Sequence, residues 1–127
     1  MAISHNSIKP TEPGLPDAVY AIRGENDSLY LLDYFCLSDT VRVMRLAGSQ
    51  GKRFPKTDGQ WWHPDAVEMY DDNAHFLLED TIRVGYRTNW VLKDVKEPGW
   101  FQTTCTSIQQ LTAAEAKALL ANAGKRP

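Results

Sequence analysis

The sequence predicts an α+β domain: a mainly antiparallel, twisted β-sheet built from two related β-units, with a C-terminal helix packed on it. Three observations lead there. Strand-like segments bounded by turn formers recur between residues 18 and 108. A helix start is written into residues 112–115. A nine-residue stretch recurs at an offset of 41 residues.

Residues 1–17 carry Pro10, Pro13 and Pro16, which favours an extended arm ahead of a single domain over 18–127. "AVYAIR" (18–23) and "SLYLLDYFCL" (28–37) read as a hairpin joined by the turn formers at 24–27. The second of these is apolar on both faces, as a covered central strand should be. "TVRVMRL" (40–46) follows, with Val41 and Val43 facing inward. A polar connection (47–60) then carries three glycines and a proline. Residues 64–71 suit a short helix, with Pro64 at its first position and Asp65 and Glu68 in its first turn. Residues 74–80, 81–87, 89–95 and 100–108 read as strands, with a turn at 97–99. Thr112 and Glu115 form a capping box ahead of "AAEAKALLANA", and Gly124 ends that helix. Ala116, Leu119 and Leu120 lie on its apolar face, which should meet the sheet.

The repeat pairs "FCLSDTVRV" (35–43) with "FLLEDTIRV" (76–84), identical at six of nine positions. Extended through the basic loop and an aromatic return, the units span 35–61 and 76–101. In such a pair Arg42 and Arg83 occupy equivalent sites, and Trp61 corresponds to Phe101.

Composition narrows the function. The chain has 127 residues and a formal net charge of −2. That balance does not mark a general nucleic-acid or membrane-surface binder. No apolar run approaches the ~20 residues of a membrane span, and the N-terminus lacks a signal pattern. A cytoplasmic protein is expected, with a phage origin equally compatible, as monomer or homodimer. Cys36 and Cys105 read as small buried thiols. His5, His63 and His75 show no zinc-ligand spacing with them, so neither metal nor cofactor is expected.

Charge is segregated. Arg42, Arg45, Lys52, Arg53 and Lys56 precede Asp65, Glu68, Asp71, Asp72, Glu79 and Asp80, and residues 65–80 hold no Lys or Arg. The stretch "WWHPD" (61–65) joins the two runs. The expected function is a non-enzymatic protein-binding module of accessory or inhibitor type. Its expected binding residues are Arg42, Arg53, Lys56, Trp62, His63, Asp71, Asp72 and Arg83, with Trp62 and His63 exposed. One alternative is single-stranded nucleic-acid binding through Arg42, Lys52, Arg53, Lys56 and the two tryptophans. Another is a hydrolase using His63 and Asp65, although no nucleophile elbow or metal-protease motif accompanies them.

Overall fold

A computed structural model of the chain describes residues 3–10, 15, 17–25, 28–35, 40–46, 59–92, 100–102 and 104–123. Its strands are β1 (Ile3–His5), β2 (Ser7–Ile8), β3 (Ala18–Gly24), β4 (Leu29–Phe35), β5 (Thr40–Leu46), β6 (Ala66–Tyr70), β7 (Phe76–Glu79), β8 (Ile82–Arg83), β9 (Arg87–Val91), β10 (Trp100–Gln102) and β11 (Cys105–Gln110). The helix is α1 (Ala113–Ala123). Every strand pairing is antiparallel. The strands form a five-stranded sheet, β1-β11-β3-β4-β5, a four-stranded sheet, β10-β9-β6-β7, and the small pair β2-β8. The fold is α+β, with antiparallel sheets and a C-terminal helix.

Alternation along β4 explains the layers. Tyr30, Leu32 and Tyr34 point into the main core, where they meet Val67 of β6 and Trp90 of β9. Leu29 and Leu31 point the other way and pack with Ala21, Leu119 and Leu120. The five-stranded sheet thus has the other sheet on one face and α1 on the other, and needs a strand apolar on both sides. The capping box closes as expected: Thr112 N–H donates to Glu115 Oε1 (3.0 Å) and Glu115 N–H to Thr112 Oγ1 (3.2 Å).

Several expectations are corrected. Residues 66–70 form a strand, not a helix. Val67 and Met69 are buried with period two, and β6 is paired on both sides, by β9 and β7. Two flanking ladders satisfy its backbone better than the expected two-turn helix over 64–71, which would leave many of its end groups unmet. Residues 100–108 divide between the two sheets as β10 and β11. The strand expected at 81–87 stops at Arg83, where a turn through Gly85 (φ 94°) intervenes. Within the expected extended arm, residues 3–5 and 7–8 pair with β11 and β8 as β1 and β2, and Pro10 is fully buried.

The two units do not behave as a symmetric pair. β4 pairs directly with β5, whereas β7 pairs with β6 and β8 with β2. Residues 61 and 62 contribute only an isolated bridge, while β10 is a strand of the four-stranded sheet. Pro13, Pro16, residues 26–27, 36–39 and 47–58, the expected turn at 97–99 and Gly124 lie outside the described residues.

Ile8 sits opposite Ile82, both in the main core, and is only 3% exposed. Ile8→Ala should therefore destabilise the fold by about 2–4 kcal/mol, read as a lowered urea midpoint. An unchanged midpoint would mean that the N-terminal segment does not close the core.

Candidate functional site

The tryptophan pair is part of the fold. Val43 N–H donates to Trp62 O (2.8 Å), and Trp62 N–H donates to Val43 O (2.9 Å). Residues 61 and 62 thus lie along the free side of β5. Alternation sends Trp62, half-buried, to the main core and Trp61 to the cluster beneath α1. Trp62 is therefore not the exposed residue the sequence suggests. Arg42 is engaged as well. It donates to the carboxylate of Asp33, its cross-strand partner on β4, and its guanidinium lies 4.6 Å from the Trp61 ring centre. Three of the residues offered for nucleic-acid binding, Arg42, Trp61 and Trp62, are thus already used within the protein.

His63 is exposed, and its Nδ1 lies 3.2 Å from the carbonyl oxygen of Val41, to which it donates. Among the described residues no carboxylate comes within ion-pair distance of His63, so Asp65 does not orient it. Arg83 is exposed, with its guanidinium 5.6 Å from the Tyr86 ring. Its surroundings differ from those of Arg42, as the different strand pairings require. Lys52, Arg53 and Lys56 lie outside the described residues.

Asp71 organises the β6–β7 turn. Its Oδ1 accepts from the backbone N–H groups of Asn73 and His75, both at 2.9 Å, and its Oδ2 lies 3.4 Å from His75 Nδ1. The bond from the His75 backbone is the main cause holding its carboxyl below the ordinary value. Ala74 takes a positive φ of 61° in this turn. Asp72 is exposed beside it. Five residues of β6, at ~3.3 Å each, separate Asp71 and Asp72 from the Trp62–His63 region, so these four residues do not converge.

The unexplained surface is β7. All four of its residues are exposed, with Phe76 at 49%, Leu77 at 40% and Leu78 at 51%. The strand lies at the edge of the four-stranded sheet. Met69 faces Leu78 and Tyr70 faces Phe76, which leaves Leu77 unopposed in a bulge. Phe76 rests edge-on against Tyr70, ring centres 5.8 Å apart. The strand itself is legible in the sequence, but its exposure is not, because three adjacent large apolar residues are ordinarily buried.

Among the described residues no cluster of His, Cys, Asp or Glu is arranged to hold a metal ion, and no helix is long and apolar enough to cross a membrane. The chain matches no protein-family model, and no curated protein or solved structure is significantly similar to it.

Cys105 is a free, buried thiol, whereas Cys36 lies outside the described residues. Burial pushes the Cys105 pKa up from 9.0 to about 11, leaving it protonated and a weak nucleophile at neutral pH. The folded state thus binds this proton more tightly than the unfolded chain. Its contribution is complete below about pH 9 and is lost as pH rises through about 11. The urea midpoint should fall across that window, and Cys105→Ala should flatten the fall.

Proposed function

We propose that this chain is a small protein-binding module of accessory or inhibitor type, working by adding a partner's strand to the edge of β7. The observation that carries this reading is the exposure of Phe76, Leu77 and Leu78 together on an edge strand. An edge strand offers backbone donors and acceptors to an incoming strand, and its side chains add selectivity. Edges are usually blunted with Lys or Pro; β7 contains neither. Its bulge tilts the strand without hiding its apolar side chains.

The same surface disfavours nucleic acid. Residues 65–80 carry six acids and no Lys or Arg, and phosphates are held by cations. The hydrolase reading lacks support in the geometry, since His63 is tied to a backbone carbonyl.

Leu78→Lys places a charge on this edge without emptying the core, because Leu78 is already half-exposed. Wild type should capture a protein from cells of its source in stoichiometric amount, and Leu78→Lys should lose it while melting at the same temperature. Equal capture by both proteins, or no stoichiometric protein with wild type, contradicts the reading.

A further inference from the structure

The acidic setting of β7 restricts what kind of strand it accepts, an inference that rests on strand addition at β7. Glu79 stands directly opposite Glu68 on β6, and Asn89 of β9 stands on the other side of Glu68. Val67 and Trp90 point to the core, so alternation places Glu68, Glu79 and Asn89 on the opposite face. Asn89 Nδ2 (2.9 Å) and the Tyr70 hydroxyl (3.2 Å) both donate to Glu68 Oε1, fixing that carboxylate in the row. Like charges directly opposite on neighbouring strands repel. Among the described residues neither glutamate forms an ion pair with Lys or Arg. The next position in the row, beyond Glu79, belongs to whatever strand pairs with β7.

A cavity of about 160 Å³ adjoins the end of β7. Pro10, Val41, Pro64 and Val67 line it, and so do Asp65, Glu79 and Asp80. A lysine or arginine suits such surroundings, since its methylene stem packs on apolar groups while its charged head favours acidic neighbours. Phe76, Leu77 and Leu78 supply the apolar contact beside it.

A second copy of this chain is a poor occupant. Pairing β7 with itself would bring together two segments that each hold Asp65, Glu68, Asp71, Asp72, Glu79 and Asp80 without a cation. We propose that β7 accepts an extended basic segment of another protein, carrying lysine or arginine where it passes Glu79.

The test uses three synthetic peptides of about eight residues. They alternate valine and threonine and differ only in a central Arg, Gln or Glu. Each is titrated into the full chain and into Glu79→Lys, following the β7 amides by NMR. The variant should fold, since a lysine there faces Glu68, and its melting temperature should be no lower than that of wild type. The Arg peptide should bind wild type tightest, lose affinity on adding salt, and weaken about tenfold or more with Glu79→Lys. The Glu peptide should gain with that variant. If all three peptides shift the β7 amides of wild type with equal affinity, the basic partner is wrong and strand addition stands. If none shifts them, strand addition itself is wrong, and this inference falls with it.

Discussion

The contact between Tyr30 and Trp90 sets the terms for the rest of the molecule. Their rings stack at 5.5 Å with 14° between planes, one from each large sheet. Trp90 is fully buried although, among the described residues, its indole Nε1 has no hydrogen-bond partner. Burying a ring of this size is worth about 4–6 kcal/mol from area alone. An unmet donor costs about 1–3 kcal/mol. Ring area wins, and the position is held by packing. Arg45, nearly buried, lays its guanidinium 6.0 Å from the centre of Tyr30. A residue that reads as part of a basic surface patch is therefore buried beside its cross-strand partner Tyr30.

That contact fixes which strands are covered. β3, β4, β5 and β11 of one sheet, β6 and β9 of the other, and the β2–β8 pair contribute to the main core. β7 lies one strand further out and contributes none of its four side chains to it. The apolar residues of β7 are thus left exposed by the placement of its neighbours. The same sheet carries the acids of β6 and β7 on the face turned from the core. An edge rich in both apolar and acidic groups follows from one arrangement.

Much of the architecture is readable from residue order. The β3–β4 hairpin, β5 and the capped helix rest on local signals: alternation, turn formers, and the Thr112–Glu115 pair. β6 is deceptive in sequence because Pro64, Asp65 and Glu68 imitate a helix start. Its partners β7 and β9 come later in the chain, and only they make the strand favourable. The repeat is not matched by equivalent strand pairings for a related reason, since long-range pairing gives similar residues different partners. The site is less readable still. Arg42, Trp62 and Asp71 belong to types common in binding surfaces, yet each is spent on an ion pair, a core contact or a turn. Nothing local distinguishes the exposed Phe-Leu-Leu of β7 from a core strand, because exposure is decided by the other sheet.

The most direct measurement is residue-resolved amide hydrogen exchange across β6 and β7 of the free protein. With the β7 edge open, amides on β7 that point away from β6 should exchange at nearly the rate of an unstructured chain. Those pointing toward β6, and the β6 amides themselves, should be strongly protected. Uniform protection of all four β7 amides would mean that the edge is already covered, and would contradict strand addition there.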